Sequence, residues 1–140
     1  MRIFIDLDDT IFDFQTPYRE GTVLGIRYPQ AHHGFFANLN PLPGAIEAVS
    51  QLALRHDVWF ATRPSVMNPM SYTEKRLSIE NHFGLEACER LILIPDKSLL
   101  IGDCLIDDGD IHGQPEFQGR WIQFGSPAFK GWEKILTMLD

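Results

Sequence analysis

Residues Arg2 to Phe14 read R-I-F-I-D-L-D-D-T-I-F-D-F, and the reading of this stretch decides the fold. Ile3, Phe4 and Ile5 form an apolar, β-favouring run, too short for a helix and suited to a strand buried on both faces. Asp6, Asp8, Asp9 and Asp13 follow at once. Side chains alternate along a strand, so Asp6 and Asp8 point the same way at its carboxyl end. Two like charges held that close repel and cost stability unless a cation neutralises them. Oxygen-only ligands favour a hard ion, and Mg²⁺ is the usual one when phosphate is the other partner. Any single aspartate here reads better as a solvated turn carboxylate. The D-x-D-x-T order directly behind a buried strand favours a site.

The bulk numbers frame that reading. At 140 residues a single domain is expected, with enough chain for a sheet covered by helices. A hydrophobic content of 44% with 22% charged residues argues against disorder. The net charge of −7, with no run of Lys or Arg, speaks against nucleic acid as a partner. An anionic small substrate stays open, because a bound metal reverses the charge of an acidic site. No apolar run reaches the length of a membrane span, and Asp6 interrupts any signal-peptide pattern. Cys88 and Cys104 have no metal-type spacing and read as reduced thiols of a cytoplasmic protein. A homodimer is neither implied nor excluded.

Beyond Phe14 the chain is irregular and aromatic to about Leu42, with Tyr18, Tyr28, Phe35 and Phe36 among Pro and Gly breaks. Thr16-Pro17 suggests a short helix with Thr16 as its cap. Residues 15–42 are long for a connection, and long insertions tend to be lids or binding loops; a small cap over the strand ends is expected. A helix over Ala45 to Arg55 carries the stripe Ile46, Val49 and Leu52. Val58 to Ala61 is a second strand, broken by Thr62-Arg63-Pro64-Ser65. Ser71-Tyr72-Thr73-Glu74 fits a capping box opening a helix that ends before Gly84. Leu91 to Ile94 is a third strand with Pro95-Asp96-Lys97 as its exit. Apolar runs studded with Asp103, Asp107, Asp108 and Asp110 follow, then a strand over Arg120 to Phe124. Ser126 and Pro127 suggest the start of a last helix with Phe129, Trp132, Ile135, Leu136 and Leu139 inward.

Strands alternate with helices, so the expected fold is α/β: a three-layer, Rossmann-like parallel sheet with helices on both faces and the cap insert behind the first strand. Ligands bind such folds beyond the carboxyl ends of the strands, where Asp6 and Asp8, Thr62, Lys97 and the later Asp cluster converge.

The spacing Asp6, Asp8, Thr10 resembles the first motif of the haloacid-dehalogenase-like phosphatases, in which the first Asp is a nucleophile and the second a general acid/base. The chemistry suits these residue types. Phosphate monoester hydrolysis needs a nucleophile, a proton donor for the leaving oxygen and positive charge around the phosphoryl group. Asp6 supplies the first, Asp8 the second, and Mg²⁺ with Lys97 the third, with the Thr62 hydroxyl donating a hydrogen bond. The third metal carboxylate is left open by spacing: Asp107 and Asp108 are adjacent and face opposite ways on a strand. Asp103 heads a G-D-x-x-x-D arrangement that serves in many relatives. Lys75, by contrast, reads as a helix-surface residue, with an indirect role behind the phosphate contacts as the alternative, His32 and His33 as an exposed loop pair, and Asp110 and His112 as turn residues.

A narrower resemblance rests on several motifs together. Asp6-Leu7-Asp8 with Phe12-Asp13-Phe14, the run Gly34-Phe35-Phe36-x-x-Leu39-x-Pro41-Leu42-Pro43-Gly44-Ala45, Tyr72-Thr73-Glu74-Lys75 before His82-Phe83-Gly84, and Asp96-Lys97 with L-I-D-D at Leu105 to Asp108 look like the pyrimidine 5′(3′)-deoxyribonucleotidases. The similarity covers roughly residues 1–110. It implies metal ligation by the Asp6 side chain, the Asp8 carbonyl and Asp108. It further implies base stacking on Phe14 and Phe35 with Phe36 beside them, and phosphate contacts from Thr62, Lys97 and the backbone near Arg63. The implied substrate is a small phosphorylated nucleotide. Two departures stand out: Arg63 occupies a position where the family commonly has serine, and the insert is shorter than the cap of the animal members. The competing readings are a phosphatase of another small ester, and a phospho-accepting receiver domain. The latter fits poorly, since its phosphorylated Asp normally ends a later strand.

Overall fold

In the computed structural model, which describes residues 1–140, Arg2–Ile5 form strand β1, Asp57–Thr62 β2, Leu91–Leu93 β3, Cys104–Asp107 β4 and Arg120–Gln123 β5. All are parallel, in the order β3-β2-β1-β4-β5. The apolar run that opens the chain is therefore the central strand: Ile3 lies opposite Val58 and Cys104, and Ile5 opposite Phe60 and Ile106. The chain winds outward from β1 through β2 to β3, then crosses back to β4 and β5. The reversal of strand order falls between β1 and β4, where parallel sheets open a crevice at their carboxyl ends.

Helices α1 (Gln15–Val23), α2 (Ala45–Ala53), α3 (Met70–Phe83) and α4 (Trp132–Leu139) complete the regular structure. No helix is long and apolar enough to cross a membrane. Ile3 and Ile5 point to one face, into a core shared with Ala48, Val49 and Leu52 of α2, Ile79 of α3, and Trp132 and Ile135 of α4. Phe4, Ala61 and Leu105 alternate to the other face and meet Leu100 and Phe117. The α/β three-layer arrangement holds, but its second outer layer is thin. The crossovers β3→β4 and β4→β5 carry only the single turns Lys97–Leu99 and Gln114–Glu116 in place of full helices. Those connections are short and rich in Gly, Pro and Asp, which do not sustain a helix interior.

Three helix starts differ from expectation. The first helix begins at Gln15, and its leading N–H groups are taken by carboxylates already turned toward it: Asp9 accepts from Phe14 and Gln15, and Asp13 from Thr16. Thr16 caps nothing. Helix α3 starts at Met70 with no side-chain cap. Ser71 bonds back to Ser65 instead, and Glu74 reaches into the insert, so the capping-box pattern is coincidental. Ser126 and Pro127 lie in a turn closed by Gly125 N–H to Phe129 C=O, and α4 begins only at Trp132.

The insert between β1 and α2 contains α1 and the single turns Pro29–Ala31 and Phe36–Asn38. Its far end returns to the loop after β1: Asp13 N–H meets Asn40 C=O at 2.8 Å, and Leu42 N–H meets Ile11 C=O at 2.7 Å. Buried Asn68 ties its middle, donating to the carbonyls of Gln30 at 3.0 Å and His32 at 3.4 Å.

Candidate active site

The loop that leaves β1 is wound tightly on itself. The N–H groups of Thr10, Ile11 and Phe12 converge on the Leu7 carbonyl at 3.2, 2.8 and 2.9 Å. Asp9 takes a left-handed conformation, φ 59°, which a short polar side chain tolerates better than most. The Trp132 indole N–H pins the loop from outside, donating to Thr10 C=O at 2.9 Å.

Asp6 is 8% exposed and Lys97 1%. The Lys97 ammonium bonds Asp6 Oδ1 at 3.1 Å and also Asp107 Oδ2. Burial pushes the Asp6 carboxyl well above the usual range; Lys97 opposes this, while Asp107, Asp8 and Asp108 reinforce it. Burial alone would lower the Lys97 ammonium, but Asp6 and Asp107 together outweigh that effect and hold it above its ordinary value. Asp108 is pushed up to about 6, chiefly by burial and then by the Asp107 charge.

Oxygen atoms of Asp6, Asp107 and Asp108 all lie within 4.8 Å of one another. The alternation argument about the adjacent pair fails because β4 ends at Asp107, so Asp108 already follows loop geometry. Their remaining bonding capacity differs. Asp107 is committed on both oxygens, to Lys97 and to the Gly109 N–H at 2.8 Å. Asp108 binds Thr10 Oγ through one oxygen only, at 3.2 Å. The Asp8 carbonyl accepts no main-chain hydrogen bond. This excess of buried negative charge on hard oxygen donors fits a divalent cation such as Mg²⁺. Asp103 is elsewhere: it precedes β4, at the opposite edge of the sheet, and accepts from Arg2 N–H at 2.6 Å.

Lys75 overturns its surface reading. It is 1% exposed, with Nζ 2.7 Å from Asp8 Oδ2, 2.8 Å from Thr62 Oγ1 and 4.6 Å above the Phe36 ring. Since Lys75 donates to the Thr62 hydroxyl, that hydroxyl keeps its own proton to give. A signal was present in the sequence: Ser71, Glu74, Lys75, Ser78 and Ile79 recur at helical spacing and are the buried face of α3. That face is polar and Leu77 points outward, so hydropathy concealed it.

Asp6, Asp8, Lys97 and Asp108 open onto a cavity of about 300 Å³, with Phe14 and Phe36 as its two apolar walls. Arg63, exposed and without an ion-pair partner, lines it, as do Gln30, not singled out from sequence, and His112, which the sequence suggested was only a turn residue. The His112 imidazole is lowered by burial and by the charges of Arg63 and Lys97. Thr62 lies beneath the surface. Phe35 faces another pocket within the insert and buttresses both walls edge-on, 5.4 Å from Phe14 and 5.1 Å from Phe36.

Residues 13–136 match the model of the family described as 5′ nucleotidase, deoxy (pyrimidine), cytosolic type C protein. The chain belongs to this family. It is thus a phosphatase of the 5′-nucleotidase class. A Vibrio phage KVP40 protein, provisionally named a 5′(3′)-deoxyribonucleotidase, is 33% identical over 98% of this chain and 83% of its own length. Another, from Bordetella bronchiseptica and named in the same way, is 49% identical over 67% of the chain. The human cytosolic-type 5′(3′)-deoxyribonucleotidase is 41% identical over 59%. The chain spans about half the length of the Bordetella relative and 43% of the human one. A haloacid-dehalogenase-like hydrolase from Xanthomonas campestris shares the fold, with a TM-score of 0.62 at 13% identity, over 100% of this chain and 91% of that one.

Proposed function

We propose that this member of the 5′-nucleotidase family is a Mg²⁺-dependent 5′(3′)-deoxyribonucleotidase, hydrolysing deoxyribonucleoside monophosphates through an aspartyl-phosphate on Asp6. The carrying observation is the placement of Asp6, beside Lys97 at the end of the central strand, with Asp8 at the same cavity mouth and two Phe rings on its wall. Asp6 attacks phosphorus and the ester P–O bond breaks. Asp8, held by Lys75, gives its proton to the leaving alkoxide, then takes one from the water that cleaves the aspartyl-phosphate. Lys97 offsets charge on the phosphoryl oxygens, while Thr62, beneath the surface, holds the Lys75 ammonium beside Asp8. Arg63 reaches the same oxygens from the rim. Asp6, the Asp8 carbonyl and Asp108 would hold Mg²⁺, in preference to Asp107, each of whose oxygens already accepts a hydrogen bond. When bound, the ion supplies positive charge next to the phosphoryl group. Phe14 and Phe36 offer the base a stacking surface, with Phe35 behind them. The free thiols Cys88 and Cys104 support a cytoplasmic setting.

Phosphate release from a panel of deoxyribonucleotides and sugar phosphates, with Mg²⁺ or with chelator, tests the reading. Asp6→Asn is expected to abolish turnover with an unchanged circular dichroism spectrum, and Asp8→Asn to cripple it. An Asp6→Asn protein that keeps most of its activity excludes the covalent mechanism. Equal turnover of sugar phosphates removes the nucleotide assignment but leaves the phosphatase.

A further inference from the structure

Glu74, on α3, is 3% exposed and has no cationic partner. Its carboxylate accepts three main-chain N–H groups from the insert: Gly34 at 3.1 Å on Oε2, and Phe36 and Ala37 at 3.1 and 3.3 Å on Oε1. The last two are the leading donors of the turn Phe36–Asn38, which has no cap of its own, and Gly34 lies just before it. The next residue along, Lys75, lies over the Phe36 ring and against Asp8. Phe36 is thus fixed by its backbone through Glu74 and by its face through Lys75.

Anchorage of the insert alone does not account for this. Asn68 and the Asp13–Asn40 and Ile11–Leu42 bonds already fasten it elsewhere. Burying a carboxylate is costly unless its lone pairs are met, and here they are met by the Phe36 turn and by Gly34 just before it. That turn carries one of the two apolar walls of the cavity. We propose that Glu74 is a specificity-positioning residue: by capping the Phe36 turn it holds that ring where the base of a nucleotide stacks, without touching the substrate. The inference rests on the nucleotidase reading above.

The test compares deoxyuridine 5′-monophosphate with 2-deoxyribose 5-phosphate, the same sugar phosphate lacking the base. Glu74→Gln keeps the shape but replaces one acceptor oxygen with an NH₂ that cannot receive an N–H. Expected is a rise of about tenfold in KM for the nucleotide, with kcat and the deoxyribose phosphate kcat/KM within about twofold of wild type. Phe36→Leu should raise the nucleotide KM likewise, and the double variant should lose no more than Phe36→Leu alone. An equal loss on both substrates, an unchanged nucleotide KM, or additive losses in the double variant would each overturn the proposal. Should Glu74→Gln not fold, Glu74→Asp, which keeps the charge but withdraws it from the turn, reads the same substrate ratio. A wild-type protein that treats both substrates alike would instead refute the nucleotide reading itself.

Discussion

Replacing Lys97 with methionine is the sharpest probe of the buried charge cluster. The side chain keeps its approximate length and its packing, so the substitution removes chiefly the ammonium. Asp6 at 8% exposure and Asp107 at 1% then share a dry pocket with no counter-charge. At the observed 3.1 Å, the attraction to Asp6 alone is about 5 kcal/mol with an effective dielectric constant of about 20. Part of this is returned, because the ammonium no longer has to be desolvated. Breaking one partner out of a buried pair typically costs about 3–5 kcal/mol, and that range is expected at neutral pH. With a urea slope of about 2 kcal/mol/M, the unfolding midpoint should fall by about 1.5–2.5 M. The cost should shrink as the pH is lowered toward about 5, because the orphaned carboxylates take up protons and become cheap to bury. Urea unfolding at both pH values, in chelator, measures both quantities. A loss below about 1 kcal/mol at neutral pH would refute the ionised, buried cluster. A loss equally large in acid would assign the effect to packing instead.

Two further outcomes follow from the same structure. The Asp108 carboxyl is raised to about 6 in the folded chain, and Asp6 shifts in the same direction. A raised folded pKa contributes stability that is complete below the unfolded value of about 4 and is lost as pH rises through the folded value, here on the order of 3 kcal/mol. Chelated protein should therefore melt several degrees lower at neutral pH than in mild acid, and Mg²⁺ should raise the melting temperature more at neutral pH; a Mg²⁺ effect independent of pH would contradict this. Gly113 has φ +86°, and a Cβ there would overlap Asp96 Oδ1 and approach the Ser98 and Lys97 N–H groups at 2.8 and 3.0 Å. Gly113→Ala should destabilise the protein by about 1–3 kcal/mol and depress turnover by displacing Lys97, read by thermal melts and phosphate release.

The parallel α/β order was legible because it follows from local pattern. Short, β-branched apolar runs ending in turn residues are too brief for helices and read as buried strands, and alternating them with amphipathic segments leaves few topologies. Asp6 and Asp8 were legible from their place directly behind the first strand, although β1 ends at Ile5 and it is the tight loop after it, not strand alternation, that brings both to the cavity. The thin second layer was less so, because segments 94–103 and 108–119 hold too few helix-forming residues to predict which face they cover.

Lys75 and Glu74 mark where local pattern stops. Nothing within α3 distinguishes a solvated Glu-Lys pair from a buried one; the difference lies in Asp8, Thr62 and the Phe36 turn, which approach from distant parts of the chain. The proposed choice of Asp108 over Asp107 is of the same kind. It rests on which oxygens accept from Lys97 and Gly109, a matter of three-dimensional hydrogen bonding. Sequence alone determined which strand ends would carry the chemistry, because strand periodicity is a property of the backbone. Only the tertiary structure decided which charges are buried together and what neutralises each, because burial and pairing depend on neighbours that the linear order keeps apart.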